Sequence, residues 1–217
     1  MRAIHQLIEE QVRRWEILKT KSAEEKPLPV ITLSREPGSG GKFVAKSVAD
    51  RLGLDYFHQE LINAMAQNAD TSTRVIRTLD ERGVSMIEDW VSAAVSDRHL
   101  WPDEVSRVLM QVLGTIARHG KAIIVGRGAN FVLPPENRFR VRIVAPMSMR
   151  VNRVAEIHGI TKAEAKKRVL STESDRRAYV RKYFHADIRD PAHYDMVLNT
   201  GTLSVESAAA VICRALA

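Results

Sequence analysis

The first chemistry that the sequence suggests is phosphate binding, at a glycine-rich loop within residues 30–42. An apolar, β-branched run ends there in three glycines, Lys42 follows directly, and helical periodicity begins beyond it. Glycines let backbone N–H groups turn toward an anion, a helix N-terminus adds positive potential, and a lysine adds a formal charge. Lys42 is also a candidate catalytic residue, because its ammonium can reach β- and γ-phosphate oxygens. The candidate phosphate-binding residues are Gly38, Ser39, Gly40, Gly41, Lys42 and Phe43.

The loop departs at two positions from the phosphate-loop pattern Gly-x-x-x-x-Gly-Lys-Ser/Thr. With Lys42 as the lysine, Glu36 stands at the first glycine and Phe43 at the hydroxyl residue that would bind a metal. A lysine at the start of a helix can also be merely solvated. The sequence therefore supports phosphate binding more directly than it supports catalysis, and it leaves the metal ligands unassigned.

Arginines are the second group of candidates. Arg127 lies between two glycines after an apolar strand, where a guanidinium can bind a phosphate bidentately, although a surface arginine in a turn is the alternative. Arg150 and Arg153 are three residues apart and share one face of a predicted helix. Arg176 and Arg177 are adjacent, so they point in different directions. Cations around a transferring phosphoryl group accelerate its transfer, whereas a solvated helix face would contribute little. The candidate catalytic arginines are Arg127, Arg150, Arg153, Arg176 and Arg177.

Two further polar residues follow predicted strands. His58 ends the second strand, where a substrate contact is plausible, but no carboxylate partner nearby in the sequence supports acid–base work. Asn199 either lines a base site or forms a turn. The sequence contains no Ser/His/Asp or Cys/His constellation and no zinc-ligand spacing.

Composition limits the class of protein. A length of 217 residues suits one α/β domain with an additional segment. The composition, with 45% hydrophobic and 27% charged residues, is ordinary for a globular protein. We find no apolar run that could cross a bilayer and no signal-peptide region, and the lone Cys213 has no intrachain disulfide partner. These features predict a reducing cytoplasm.

The positive charge is concentrated in one segment. The net charge is +7, and residues 150–190 hold eleven Lys/Arg against six Asp/Glu. Such a segment could attract nucleic acid. Its aromatics, Tyr179, Tyr183 and Phe184, are few and fall at helical spacing, which favours packing in a helix core over base stacking. A small polyphosphate ligand is therefore the preferred partner, and we expect no polynucleotide.

The elements that must position these residues alternate between strands and helices. Residues 3–20 form an amphipathic helix, which is either a brace on the domain or an oligomerisation element, and residues 21–29 read as a linker. Five short apolar strands separated by helices predict a parallel sheet covered on both faces, with ligands beyond the carboxyl ends of the strands. Residues 60–119 are predicted helical, with breaks at 70–72, Gly83 and Pro102. A capping box at Thr161 and Glu164 opens a helix over 161–183.

Four motifs together resemble the cytidylate kinase-like family, a branch of the P-loop nucleoside monophosphate kinases. They are Ile-Thr-Leu-Ser-Arg-Glu-Pro-Gly-Ser-Gly-Gly-Lys at 31–42, the stretch from Leu52-Gly53 to His58-Gln59-Glu60-Leu61-Ile62, Val-Gly-Arg-Gly-Ala-Asn at 125–130 and Tyr-Asp-Met-Val-Leu-Asn-Thr at 194–200. The resemblance covers residues 29–217 and leaves out the N-terminal helix and linker, residues 1–28. It implies a three-layer α/β fold with a five-stranded parallel sheet in the order 2-3-1-4-5, a helical NMP-binding region at about 58–119 and a basic lid at about 150–190.

The activity that the resemblance implies is ATP-dependent phosphorylation of CMP or dCMP with Mg²⁺. It implies a donor phosphate loop at Gly38–Lys42 and lid arginines at 150, 153, 176 and 177. The implied substrate-binding residues are Arg35, His58, Arg127 and Asn130.

The chain departs from that family's pattern at four positions, where expected aspartates or a hydroxyl are replaced. The replacing residues are Val44, His58, Val125 and Gly128. These losses weaken the magnesium and CMP assignments more than they weaken phosphate binding. Two alternatives therefore remain beside a nucleotide kinase: a nucleotide sensor that binds without turnover, with the N-terminal helix contacting a partner or forming a homodimer, and a nucleic-acid-binding protein.

Overall fold

Five parallel strands form one sheet in the order β2-β3-β1-β4-β5. The structure is a computed structural model that describes residues 4–19, 30–98, 104–135 and 138–216. The sequence-based expectation of class and strand order is confirmed. The strands are β1 (Val30–Arg35), β2 (Asp55–Phe57), β3 (Ala122–Val125), β4 (Arg138–Val144) and β5 (Met196–Asn199).

The central strand β1 carries the phosphate loop directly after it. Its apolar and β-branched residues are buried on both faces of the sheet, as expected for a strand covered by helices on each side. The register pairs Leu33 with Val125 on β3 and Arg35 with Ile143 on β4. Because the strands are parallel, the turns after β1 and β3 lie side by side at one edge of the sheet, where a ligand site is expected.

Helices cover both faces of the sheet. Two of them, α2 and α10, pack on one face with Val44, Val48 and Ile212 in the shared core, and a larger helical group packs on the other face. This gives three layers. The helices are α1 (Ile4–Lys19), α2 (Gly41–Leu52), α3 (Gln59–Gln67), α4 (Ala69–Arg77), α5 (Glu81–Arg98), α6 (Glu104–His119), α7 (Ala129–Val132), α8 (Met147–His158), α9 (Lys162–Phe184) and α10 (Val205–Ala215).

The basic segment of residues 150–190 forms α8 and α9, which pack on each other. Their contact has a small apolar core of its own, centred on Val151, Val154 and Val169. The predicted capping box is present: the side chain of Thr161 accepts from the backbone N–H of Glu164, and the Glu164 carboxylate accepts from the backbone N–H of Thr161. Helix α9 is therefore fixed at its start and reaches back over the carboxyl edge of the sheet.

The apolar face of α1 packs on its own domain. Trp15 is 2% exposed and stacks on Phe57 and His119, with ring centroids 5.8 and 4.3 Å away. Gln11 donates a hydrogen bond to the Asp55 carboxylate at 2.7 Å. These contacts fit the brace interpretation of the helix, since its apolar stripe is already used within one chain. A homodimer through α1 stays a prediction and would need other surface.

Three sequence-based boundaries are wrong. Residues 70–72 lie inside α4, and the break is at Asn68, whose side chain caps α4 by accepting from Thr71 N. Gly83 lies in the first turn of α5. The fifth strand, expected from Tyr194 to Leu198, begins at Met196, and Tyr194 instead donates its hydroxyl to the Ile188 carbonyl at 2.8 Å. The predicted linker 21–29 and the break at Pro102 lie outside the described residues. Among those that are described, no helix is long and apolar enough to span a membrane.

Candidate functional site

The phosphate loop runs from Glu36 to Gly40 and leads into the N-terminus of α2. Gly38 and Gly40 have φ of 78° and 80°, a left-handed conformation that glycine adopts without strain. The buried Ser39 donates its hydroxyl to the Glu36 carbonyl at 2.9 Å, which closes the loop on itself. The first N–H groups of α2 have no carbonyl one turn earlier in the helix, so they are available to an anion. The loop therefore has the backbone geometry of a phosphate cradle.

Helix α8 lies directly against this loop. A Cβ on Gly38 would lie 2.5 Å from the Arg150 carbonyl oxygen, so the close approach itself requires glycine. Arg153 donates from Nη1 to the Gly38 carbonyl at 3.0 Å, and the same atom lies 2.8 Å from where a Cβ on Gly40 would be. One predicted catalytic arginine, Arg153, is thus placed on the loop.

Arg150 is held in a buried ion-pair network. It is 5% exposed, donates to Glu173 at 2.9 Å and lies with Nε 3.5 Å from the Glu36 carboxylate. Glu36 also accepts from the backbone N–H of Ala145 at 3.0 Å. Glu36, which breaks the phosphate-loop pattern in the sequence, therefore ties the loop to the end of β4 and to both α8 and α9.

Arg127 occupies an unusual backbone conformation. Gly126, Arg127 and Gly128 have φ of 87°, 56° and 70°, so three successive residues are left-handed. A non-glycine residue held in this region is strained and is often found at functional sites. The guanidinium lies 5.5 Å from the ring centroid of Tyr179, and its buried Nε has no hydrogen-bond partner among the described residues. The backbone thus holds Arg127 under strain at the end of β3.

A cavity of about 360 Å³ lies between this turn, the end of β1 and helix α9. Its volume falls within the usual range for small-molecule sites. The polar and aromatic side chains that line it include Arg35, Gln59, Arg127, Asn130, Asp175, Arg176 and Tyr179. Two predicted catalytic arginines and three of the four predicted substrate-binding residues therefore share one cavity.

The cavity is electropositive, since three arginines line it with one acidic side chain, Asp175. Burial, reinforced by the nearby cations Arg35 and Arg142, lowers the pKa of Arg176 to about 9. Burial also lowers the pKa of Arg35. Arg176 donates to the backbone carbonyl of Arg35 at 2.8 Å, which fixes the Arg176 guanidinium at the end of β1. Packing cations this closely costs free energy that a bound anion would recover.

Asn130 adds a neutral polar group to the cavity. It is 7% exposed, and its Nδ2 has no hydrogen-bond partner in the described part of the chain. A buried amide donor left unpaired costs about 1–3 kcal/mol, so a ligand acceptor at this position would be favourable. Gln59, at the start of α3, lies across the cavity with its Oε1 3.5 Å from Arg35 Nη2. Together they provide amide groups that could read a ligand's hydrogen-bonding pattern.

Several residues singled out in the sequence lie away from this cavity. Lys42 and Phe43 are exposed on the first turn of α2, with the Lys42 ammonium 5.3 Å from the Phe43 ring centroid. His58 caps α3 by accepting from Leu61 N, and its Nδ1 lies 2.8 Å from the Glu60 carboxylate, so the expectation that it has no nearby carboxylate partner is wrong. Arg177 lines a narrow cleft beside Glu36 and Glu173. Asn199 accepts from Gly201 N at 2.8 Å, which supports the turn interpretation.

Sequence reasoning missed several side chains of the cavity, among them Gln59 and Tyr179. Tyr179 was expected in a helix core, whereas it is half-buried, lines the cavity and lies under Arg127. The spacing of Tyr179 held the missing signal: it lies four residues after Asp175 and three after Arg176, and so is a neighbour of each on the surface of α9.

The residues present do not fit a metal ion held by the protein alone. No three His, Cys, Asp or Glu side chains come together in a metal-binding group within residues 4–19, 30–98, 104–135 and 138–216. The hydroxyl of the phosphate-loop pattern is also missing, because the first turn of α2 carries Lys42, Phe43 and Val44.

Comparison with known proteins agrees with this architecture. Residues 30–202 match the sequence model of the cytidylate kinase-like family. The chain is 28% identical over 190 residues to the cytidylate kinase of Ignicoccus hospitalis, covering 87% of this chain and 99% of that one. It is also 28% identical over 188 residues to the cytidylate kinase of Pyrococcus horikoshii, covering 86% and 88%.

Among solved structures, an uncharacterized protein from Eubacterium ventriosum superposes with a TM-score of 0.62 at 21% identity, covering 87% of this chain and 98% of that one. The fold is therefore shared with a known structure, and the family match covers most of the chain, including the phosphate loop, the Gly-Arg-Gly turn and both helices of the basic segment. This chain belongs to the cytidylate kinase-like family.

Proposed function

We propose that this chain transfers the γ-phosphoryl group of ATP to CMP or dCMP, or to a related small acceptor that carries a phosphate. The observation that carries the proposal is the arginine-lined cavity next to a glycine phosphate loop. Arg35, Arg127 and Arg176 face the cavity with one carboxylate, so the site favours a ligand with negative charge. The relatives named cytidylate kinase support a nucleotide as that ligand.

The donor phosphates would lie on the loop. The backbone N–H groups of Gly38, Gly40 and Gly41 would bind them at the start of α2, whereas the Ser39 N–H already donates to the Glu36 carbonyl, and Arg153 covers the loop from α8. Lys42 and Phe43 flank this position on the outer side of α2. The helix dipole, the amide groups and a guanidinium together neutralise the negative charge of the donor phosphates. Phosphoryl transfer requires such electrostatic stabilisation and little covalent chemistry from the protein.

The acceptor would lie in the cavity, with its phosphate on Arg127. The left-handed turn and the Tyr179 ring hold this guanidinium in place before a ligand arrives, which reduces the entropy cost of binding. Arg176 lines the cavity from α9 and Arg177 lines the narrow cleft beside it, and closure of α8 and α9 would exclude water from the transferring group. In this proposal the ion-paired Arg150 positions the loop through Glu36.

The base would be read by amides. Cytosine carries an amino donor and ring acceptors, and the side chains of Asn130 and Gln59 supply donors and acceptors to match. We further propose that Mg²⁺ arrives with the donor and is held mainly by phosphate oxygens and water, as is common for this ion. The protein's own contribution is the set of cations described above. We place the reaction in the cytoplasm, with nucleotides rather than polynucleotides as ligands.

An acceptor panel tests this proposal. ADP formation is measured with ATP and Mg²⁺ against CMP, dCMP, UMP and AMP, for the wild type, Asn130→Leu and the exposed Arg82→Ala on α5 as a matched control. We expect CMP or dCMP to be preferred, Asn130→Leu to lose at least about tenfold of that preference, and the control to match the wild type. ADP release that stays at background with every acceptor contradicts the proposal.

A nucleotide sensor without turnover is the second candidate. The observation that favours it is the absence of both the loop hydroxyl and an acidic metal cluster from the described residues. Thermal unfolding with and without ATP separates the two functions. A nucleotide-induced rise in Tm with no ADP formation supports the sensor, and turnover excludes it.

A further inference from the structure

Two positions of the phosphate loop, 35 and 41, have exchanged their residue types. Helix α2 begins at Gly41 with Gly40 as its N-cap. When Gly40 is taken as the second glycine of the pattern Gly-x-x-x-x-Gly-Lys, the first glycine is replaced by Arg35 and the lysine by Gly41. Lys42 then stands one position beyond the lysine of the pattern.

The placement of the side chains supports this register. Gly41 is buried at the inner side of the loop, whereas Lys42 is exposed and lies next to the Phe43 ring on the outer side of α2. Of these two positions, 41 therefore lies on the inner side of the loop and 42 on the outer side. A cation that acts on the inner side must come from a residue other than Lys42.

The space that a side chain at position 41 would need is filled by Arg35. A Cβ on Gly41 would lie 2.6 Å from Arg35 Cβ, 3.2 Å from its Cγ and 3.4 Å from Ile143 Cβ. The first contact is closer than real Cβ atoms come, and the atom it meets is the root of a side chain, which cannot swing away. An arginine at 35 therefore requires glycine at 41.

The charged end of Arg35 reaches the boundary between loop and cavity. Its guanidinium passes against Gly126, where a Cβ would clash with it, and approaches Gln59. It lines the same cavity as Arg127 and Arg176. Its stem thus lies beside the start of α2 and its charge lies beside the proposed acceptor.

We propose that Arg35 supplies the cation that a lysine at position 41 would otherwise supply, and that it contacts the phosphoryl group in transit between donor and acceptor. This inference rests on the proposed function. In that reaction an oxygen of the acceptor's phosphate dianion bonds to the γ-phosphorus, the bond to the β–γ bridging oxygen breaks, and its electron pair leaves with ADP. No proton or redox change is needed, so a permanently charged guanidinium is suited to the role.

A double-mutant cycle over positions 35 and 41 tests the exchange. The variants are Arg35→Gly, Gly41→Lys and the double variant, which restores the ordinary pattern; the control is Arg82→Ala. Tm, the Tm shift produced by ATP, and ADP formation with CMP are measured for each. Gly41→Lys alone is expected to lower Tm and abolish the ATP shift, because the lysine meets Arg35.

The double variant is expected to regain the Tm of Arg35→Gly and to bind ATP at least about tenfold more tightly than that single variant, which lacks the cation. Arg35→Gly should lose turnover by about 10³-fold, and more than Lys42→Ala loses. The Tm of the double variant should recover from that of Gly41→Lys only if the two residues share one space. This recovery therefore reports on geometry independently of activity.

Three results would overturn the inference. Gly41→Lys with an unchanged Tm while Arg35 is present would refute the shared space. Wild-type ATP binding and turnover in Arg35→Gly would refute the role of its charge. If the wild type itself neither binds ATP nor forms ADP, the proposed function fails and the charge role with it, while the Tm cycle still decides whether the two residues occupy one space.

Discussion

Arg127 gives the most informative single-site prediction, because its backbone and its charge have opposite effects. Its φ is 56°, a conformation that costs a non-glycine residue about 1–2 kcal/mol. Arg127→Gly removes both the strain and the guanidinium, whereas Arg127→Ala removes the guanidinium and keeps the strain. The two variants therefore separate the contribution to folding from the contribution to ligand binding.

The expected difference in stability follows from two terms. Relief of the left-handed strain favours glycine over alanine by about 1–2 kcal/mol, and the larger entropy of glycine in the unfolded chain returns about 0.4–1 kcal/mol. Arg127→Gly should therefore be more stable than Arg127→Ala by about 1 kcal/mol, which corresponds to about 2–4 °C in Tm for a chain of this size. Both variants should bind the acceptor about 10–100-fold more weakly, since each loses a charge-assisted contact to phosphate.

Differential scanning calorimetry measures the first effect, and CMP titration by calorimetry or KM measures the second. An alanine variant that is as stable as the glycine variant would refute the backbone strain at Arg127. Wild-type affinity for CMP in either variant would refute the contact between Arg127 and the ligand's phosphate. A result in which only the stability difference appears would leave Arg127 a strained turn residue with no ligand role.

Two further predictions concern other parts of the fold. Trp15→Ala should lower the free energy of unfolding by about 3–5 kcal/mol, because removal of a large ring that is only 2% exposed leaves a cavity under α1. The control Ile17→Ala, at a residue that is 54% exposed, should change the free energy of unfolding by less than about 0.5 kcal/mol in the same denaturant titration. A loss below about 1 kcal/mol for Trp15→Ala would show that α1 is not docked as described. Asp195 accepts hydrogen bonds from Arg140, which lowers the pKa of its carboxyl group, so its contribution to stability is present above the unfolded pKa of about 3.9 and is lost as the pH falls through the lower folded value. Acid titration of stability should therefore show a steeper loss below about pH 4 for the wild type than for Asp195→Asn, and parallel curves would contradict this assignment.

Sequence reasoning gave most of the sheet and the phosphate loop, for local reasons. The β-branched runs and the glycines after β1 dictate strand and turn by themselves, and the capping box at Thr161 is a short-range signal that the structure confirms. The strand order was implied by family resemblance rather than by the pattern of any one strand. The break between α3 and α4 was misplaced at 70–72, because Asp, Thr and Ser there also favour caps and turns and so compete in the pattern with the actual cap, Asn68.

The charge distribution of the site could not be predicted in the same way. Arg35 and Gly41 are six residues apart, and only the three-dimensional approach of Gly41 to the Arg35 side chain shows that the two depend on each other. Tyr179 was interpreted as core because helical spacing alone does not say which face of α9 meets the sheet. Glu36 was interpreted as a missing glycine, whereas its carboxylate fixes the loop to β4 and α8. Side chains that act across elements in this way leave little local trace in a sequence.

In the proposed function, the donor loop and the arginine-lined cavity hold two nucleotides end to end. Calorimetric titration with a bisubstrate ligand, cytidine and adenosine joined 5′ to 5′ by five phosphates, tests it most directly, because the ligand must occupy both places at once. We expect one bisubstrate ligand to bind per chain, with an affinity at least about 10²-fold above that of ATP, and we expect both ATP and CMP to compete with it. Affinity no greater than that of ATP alone, or competition by only one of the two nucleotides, would contradict this proposal.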